Sequence, residues 1–156
     1  MSINHFTDLD DGLAVGSFPS GDVDARFLAS RGVTALVSLQ SDSDLLEHDL
    51  SWDVLVGGYD RVGIEATRVG VTDFDRMDLL RHIDRAIAAA CAYAAAGRKI
   101  YIHCNAGLNR SPCTLTGFLV AHRGLSLEEA ITWIETRHRC ILYYDVLEAW
   151  NDRRTA

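Results

Sequence analysis

Lysine is almost missing from this chain. Among 15 basic residues Lys99 is the only lysine, and 22 acidic residues leave a formal net charge of −7. Such an acidic balance argues against general binding to DNA, RNA or anionic membrane, which needs a basic footprint. It leaves room for one small anion held in a local pocket. Cysteine is sparse: Cys91, Cys104, Cys113 and Cys140 form no C-x-x-C pair, which removes support for zinc-ribbon and thioredoxin readings. A chain of 156 residues with 48% apolar content does not need disulfide staples. No apolar run reaches the length of a membrane span; the longest candidate, Ala86 to Ala96, is mostly alanine. Met1 to Asp11 lacks the basic start and apolar core of a secretory signal. No repeat, low-complexity tract or linker interrupts the sequence. These absences predict one domain over residues 1–156, a cytoplasmic setting, no nucleic-acid or membrane partner, and a monomer by default.

What is present is an alternation of short apolar segments and helical patterns. Leu13–Val15, Thr34–Leu39, Ala66–Val71 and Lys99–His103 read as strands. The second and fourth are continuous apolar runs, as expected for strands covered on both faces. Asp22–Arg31 reads as a helix ending at Gly32. Asp75–Ala96 places Leu79, Leu80, Ile83, Ile87, Ala90 and Ala94 on one stripe and closes at Gly97. Ser126 with Glu129 is a capping-box signature opening a helix to about Arg137, and Tyr144–Arg153 forms a last helix. Asp42–Glu65 mixes a short helix with loops, and the acidic start at Asp8, Asp10 and Asp11 reads as a solvated lead-in. The expected class is α/β: a single domain with a central, mainly parallel twisted sheet of about four or five strands flanked by helices. Ligands of such sheets sit beyond the carboxyl ends of the strands.

One segment carries chemistry: Ile102-His103-Cys104-Asn105-Ala106-Gly107-Leu108-Asn109-Arg110-Ser111-Pro112. A strand ends at His103, small and polar residues follow, and Pro112 suits the first turn of a helix. The backbone N–H groups of Asn105, Ala106, Gly107, Leu108 and Asn109 can turn inward as an anion-binding nest. The helix N-terminus adds positive potential. Arg110 adds a planar fork matched to two phosphate oxygens, and the same field favours the thiolate form of Cys104. The alternative is a buried structural cysteine beside a surface arginine.

Cleaving a phosphate ester also needs a proton for the leaving oxygen. Val69-Gly70-Val71-Thr72-Asp73-Phe74-Asp75 supplies one from another strand-end loop. Asp73 follows the apolar strand end directly and is the candidate general acid. Asp75 is better explained as a helix cap.

His103-Cys104-Asn105-Ala106-Gly107-Leu108-Asn109-Arg110-Ser111 resembles the signature of cysteine-dependent protein tyrosine phosphatases, and of the dual-specificity group most of all. The resemblance extends over most of the chain, from Asn4–Leu39 through the upstream Asp73 loop to Glu128–Trp150. It implies attack by Cys104 to form a phosphocysteine, with Asp73 as acid and then base. Arg110 and the loop amides hold the equatorial oxygens. Ser111 stabilises the departing thiolate, and His103 supports the loop. No cofactor and no metal are implied, and no cluster of His and carboxylates suggests a metal. Where many relatives carry Gly before the Arg, this chain has Asn109, which tolerates left-handed backbone.

The substrate is less legible. Residues 105–109 contain no Lys or Arg, whereas phosphoinositide-acting relatives often carry basic residues there. A shallow cleft for phosphoprotein Tyr, Ser or Thr is the default, a small phosphoester the lesser case. Cys104-Asn105-Ala106-Gly107 and the late Arg137–Tyr144 are also similar to laforin and plant glucan phosphatases, with Phe74, Tyr143, Tyr144 and Trp52 as candidate sugar-stacking faces or plain core and rim. Arg137 and Arg139 either extend the positive mouth or finish a helix. A non-catalytic phosphate-binding module is the remaining alternative. Cys91, Cys113 and Cys140 are better explained by burial than by a protective disulfide with Cys104.

Overall fold

A computed structural model describes Met1–Ala156. The strands are β1 (Phe6–Asp10), β2 (Leu13–Gly16), β3 (Ala35–Ser38), β4 (Glu65–Arg68) and β5 (Ile100–His103). The helices are α1 (Asp22–Ser30), α2 (Asp42–Glu47), α3 (Trp52–Arg61), α4 (Arg76–Ala95), α5 (Arg110–Arg123), α6 (Leu127–Glu135) and α7 (Tyr144–Thr155). The five strands lie in the order β1-β2-β5-β3-β4, parallel except for the β1–β2 hairpin. The expected α/β class and mainly parallel sheet are therefore observed, with helices on both faces.

Successive residues of a strand point to opposite faces, and the continuous apolar runs follow from that. Leu13 and Val15, Ala35 and Val37, and Ile100 and Ile102 enter the larger core, with side chains of α4, α5, α6 and α7. The residues between them, Ala14, Leu36 and Tyr101, enter a second core with α1 and α3. A strand buried on both sides has no place for a polar alternation.

Three details depart from the sequence reading. Phe6–Asp10 is a strand, although its acidic residues suggested a solvated lead-in. The charges are matched from distant elements: Lys99 Nζ lies 2.7 Å from Asp8 Oδ1, and Arg123 Nη1 lies 2.6 Å from Asp10 Oδ2. Asp42–Glu65 resolves into two helices and the start of β4, with Ser41 and Ser51 accepting from the backbone of their first turns. Strand β4 ends at Arg68, so Val69–Val71 already belongs to the loop. Elsewhere the stop signals hold. Gly32 and Gly97 follow α1 and α4 with φ of 84° and 77°, and Ser126 and Glu129 form the capping box of α6.

Pairing of Ser38 with both His103 and Arg68 sets the geometry of the site. The loops after β5, β3 and β4 leave the sheet at the same level and side by side. No helix is long and apolar enough to cross a membrane.

The amino-terminal hairpin is pinned to the sheet at Gly16, where an added Cβ would lie 2.1 Å from His5 O and 2.7 Å from Tyr101 Oη. Gly16→Ala is expected to lower unfolding free energy by more than about 2 kcal/mol. Gly21→Ala, with no atom within 4 Å of its Cβ, should stay within about 1 kcal/mol. Urea denaturation of both variants checks this; a wild-type midpoint for Gly16→Ala contradicts the tight approach.

Candidate functional site

Cys104 follows β5 and is 3% exposed. Its Sγ lies 3.2 Å from Ser111 Oγ in the first turn of α5. Between them the chain turns at Gly107, whose φ is 75°. A Cβ there would fall 2.6 Å from the Gly16 carbonyl carbon, so two glycines let the loop close onto the end of β2. The loop carbonyls are engaged from outside. Phe18 N donates to Asn105 O, Ile141 N to Leu108 O and His138 Nε2 to Gly107 O. None of the backbone N–H groups from Asn105 to Ser111 donates within the protein. A ring of free amides is the nest that the sequence suggested.

Asn109 does not use the left-handed backbone that its side chain tolerates. Its φ is −123°, outside the left-handed region; the positive φ falls on Gly107. Asn109 instead donates from Nδ2 to Ile141 O at 2.7 Å, tying the loop to the segment before α7.

Arg110 is 2% exposed, unusual for a guanidinium. Its Nη1 donates to Asp44 Oδ2 at 2.6 Å and to Val71 O at 2.7 Å. Nη2 lies 3.2 Å from Asp73 Oδ2, in an ion pair without hydrogen-bond alignment. Nε and Nη2 are buried and have no hydrogen-bond partner.

Asp44 was not singled out by sequence. It sits in the first turn of α2, where its carboxylate also accepts from Ser41 N and from Asn105 Nδ2. Gln40 Nε2 completes the chain by donating to Asn105 Oδ1 at 2.8 Å. Burial pushes the Asp44 carboxyl up, but the Arg110 and Ser41 hydrogen bonds outweigh it and hold the group below its ordinary value. The one local signal was the S-x-x-D cap, which accounts for the residue without any site.

Asp73 and Asp75 separate as the spacing predicted. Asp75 caps α4 by accepting from Asp78 N at 2.9 Å. Asp73 caps no helix: its Oδ1 accepts from the adjacent Phe74 N at 3.1 Å and its Oδ2 faces Arg110. Between them Phe74 holds a φ of 60° and is 80% exposed, an uncommon conformation for a bulky residue. Of the other candidate stacking faces, Tyr144 is 49% exposed. Tyr143 is buried, and Trp52 packs against the second core. Arg137 lies over the Trp133 ring, 4.3 Å from its centroid, and finishes α6; it does not widen the mouth.

Two buried histidines brace the loop. His103 Nδ1 donates to Cys104 O at 3.0 Å. His138 Nε2 donates to Gly107 O at 2.7 Å, Thr7 Oγ1 meets its Nδ1, and His5 stacks on its ring. Desolvation lowers both to about 4, with the Arg110 charge adding to it for His103 and the charges of His5 and Arg139 for His138. All four cysteines are free. Burial pushes the thiol of Cys113 up to about 12 and that of Cys140 up to about 11. No group of three or more His, Cys, Asp or Glu side chains is gathered to hold a metal ion.

A family model described as "Dual specificity phosphatase, catalytic domain" matches residues 21–147. Dual specificity protein phosphatase 12 of Rattus norvegicus is 26% identical over 135 residues, which are 86% of this chain and 37% of that protein. Phosphoglucan phosphatase DSP4, amyloplastic, of Castanea sativa is 28% identical over 143 residues, which are 88% of this chain and 37% of that protein. The chain thus spans little more than a third of the length of either relative. The crystal structure of human DUSP28 superposes with a TM-score of 0.73 at 25% identity, covering 97% of this chain and 95% of that one.

The two histidines predict an acid-sensitive fold. Their ordinary value is 6.5 and their folded values are about 4. The unfolded chain therefore takes up protons that the folded chain refuses. Stability is full above pH 6.5 and falls between 6.5 and about 4, by up to about 3 kcal/mol for each histidine. Loss of the Asp44 ion pair follows at still lower pH, as its depressed carboxyl protonates. Urea unfolding at pH 7.5, 5.5 and 4.5 measures the slope. His138→Gln should make it shallower; an unchanged slope in that variant contradicts the assignment.

Proposed function

The chain belongs to the dual specificity phosphatase family, and from that premise we propose that it hydrolyses phosphate monoesters through a phosphocysteine intermediate. One observation carries the reading. Arg110 is buried and anchored by Nη1, yet Nε and Nη2 lack hydrogen-bond partners. Those two donors are the pair that a bidentate oxyanion takes. The free amides of Asn105 to Ser111 supply the remaining donors for a tetrahedral group above Cys104.

In the first step the Cys104 thiolate attacks phosphorus, the bond from phosphorus to the ester oxygen breaks, and Asp73 gives that oxygen its proton. In the second, water attacks the phosphocysteine, Asp73 takes the water proton, and inorganic phosphate leaves as the S–P bond breaks. Ser111 Oγ, at 3.2 Å, donates to the thiolate as it departs. Asp44 holds Arg110 in place through both steps. The ion pair of Asp73 with Nη2 fits the first: phosphate replaces the carboxylate as the partner of Nη2 and frees Asp73 for the leaving oxygen. His103, neutral and donating from Nδ1 to the Cys104 carbonyl, supports the loop and transfers no proton in either step.

The substrate reading is a phosphorylated protein side chain, of Tyr, Ser or Thr, entering from the face that carries Phe74 and Tyr144. The cytoplasm, where proteins are phosphorylated and thiols stay reduced, is the matching compartment. A binding module without turnover is disfavoured because nucleophile, acid and oxyanion donors are assembled together.

Cys104→Ser should abolish hydrolysis of p-nitrophenyl phosphate in the presence of EDTA while retaining phosphate binding by calorimetry; residual wild-type turnover would overturn the mechanism. Asp73→Asn should slow alkyl phosphates by roughly 10²–10⁴-fold, and p-nitrophenyl phosphate much less, because its leaving group needs little protonation. Equal rates for variant and wild type on alkyl phosphates would remove Asp73 from the acid role.

A further inference from the structure

The chain exposes its large apolar side chains at one end only. Helices α1, α3, α4 and α7 all begin at the edge of the sheet where the parallel strands finish, and Val23, Val54, Met77 and Tyr144 stand exposed in their first turns. Leu46, Phe74 and Ile141 are exposed at the same edge. The opposite end exposes no large apolar side chain. Cys104 closes β5 on the apolar end, and three of these side chains border its loop. Ile141 is held at the lip by its backbone: its N donates to Leu108 O at 2.8 Å, and its O accepts from Asn109 Nδ2 at 2.7 Å. Tyr144 is fixed by its hydroxyl, which donates to Glu135 Oε2. Phe74 follows Asp73. Its φ of 60° is uncommon for a bulky residue, and no burial of the ring compensates it. Arg76 ties the two walls together, lying 4.0 Å from the centre of the Tyr143 ring and pairing with Asp145.

We propose that this apolar rim reads the residues beside the phosphorylated one. Its occupant is a phosphoprotein segment with a large apolar side chain within two positions of the phosphoresidue, and with basic rather than acidic residues beyond. The proposal rests on the phosphatase reading and narrows its phosphoprotein substrate. Position selects the occupant. A chain that delivers a phosphate to Arg110 crosses the rim, because Phe74 adjoins Asp73, whose Oδ2 lies 3.2 Å from Arg110 Nη2. At roughly 3.3–3.6 Å per residue of extended chain, the neighbours of the phosphoresidue come against Phe74 and Ile141. Large apolar neighbours gain there by leaving water, and small or charged ones do not. The rim is held in place beforehand, so little ordering is lost on binding. Charge selects the flanks. Arg68 and Arg76 are already bound to Asp42 and Asp145. Glu47, Asp49, Asp53 and Asp75 remain exposed at this edge against Arg137 and Arg139. That balance favours a basic flank and disfavours an anionic lipid surface.

Tyrosine phosphopeptides of one length test this, with Leu or Ser on both sides of the phosphotyrosine and Lys or Glu at the outer positions. The wild-type chain should favour Leu over Ser by about tenfold in kcat/KM, as partial burial of one or two side chains predicts. It should favour Lys over Glu by a ratio that shrinks with added salt. Phe74→Asn, which tolerates the positive φ, and Ile141→Thr, which keeps the backbone bonds, should each move the Leu-to-Ser ratio toward one. A wild-type Leu-to-Ser ratio of one or below overturns the rim, as does a ratio unchanged in both variants. Cosedimentation with phosphatidylcholine vesicles that Phe74→Asn abolishes assigns the face to a lipid surface and overturns the proposal. A dimer in sedimentation velocity that Phe74→Asn dissolves assigns it to a second copy and does the same. Calorimetry on Cys104→Ser separates the rim from the phosphatase reading. Leu preference in binding, without hydrolysis of p-nitrophenyl phosphate by the wild-type chain, keeps the rim and rejects the phosphatase. Turnover of p-nitrophenyl phosphate without Leu preference does the reverse.

Discussion

The site depends on one buried cation. Removing a guanidinium from water costs several kcal/mol unless its donors are met, and Arg110 has only Nη1 fully met, by Asp44 and Val71 O. That half-satisfied state orders its surroundings. Asp44 must stand at the start of α2, which fixes the loop after β3. Val71 must turn its carbonyl inward, which fixes the loop after β4. Three strand-end loops thus share a single charge. The unmet donors are what the proposed phosphate would engage, since a group that supplies two oxygens there removes a desolvation penalty as well as forming bonds.

Backbone geometry makes the second contribution. Loop amides can face inward only if the loop carbonyls find partners elsewhere. His138, Ile141 and Phe18 provide those partners, from segments far apart in sequence. Gly16 and Gly107 approach too closely for any side chain, so the loop sits against β2 without a gap. On a chain with net charge −7, this one turn thus brings together a buried arginine, free peptide N–H groups and the N-terminal end of α5.

These contrasts explain what the sequence could disclose. The cysteine loop is a contiguous motif with a strand before it and a helix after it, so its residues could be read in order. Asp73 and Asp75 could be told apart because capping is a local rule. Asp44 could not be found that way: it satisfies the cap of α2 and the charge of Arg110 with the same carboxylate, and the local explanation hides the distant one. Strand β1 failed for a related reason. Asp8 and Asp10 look solvated until Lys99 and Arg123 are brought beside them, and no local pattern announces that approach. His138 had no signal beyond an ordinary position after a helix. Asn109 has no need of its left-handed tolerance, because the positive φ of the loop lies two residues upstream, on a glycine that bears it without strain.

The Asp73–Arg110 contact has a consequence for how an acidic protein admits an anion. The carboxylate stands 3.2 Å from a donor that has no hydrogen-bond partner, close enough to attract and too poorly aligned to compete with a phosphate. In the proposed reaction a phosphate dianion brings more charge and better geometry to Nη2 than the Asp73 carboxylate does, so the substrate would take over that donor and leave Asp73 beside the ester oxygen, with no residue needed beyond those that already meet at this corner of the sheet.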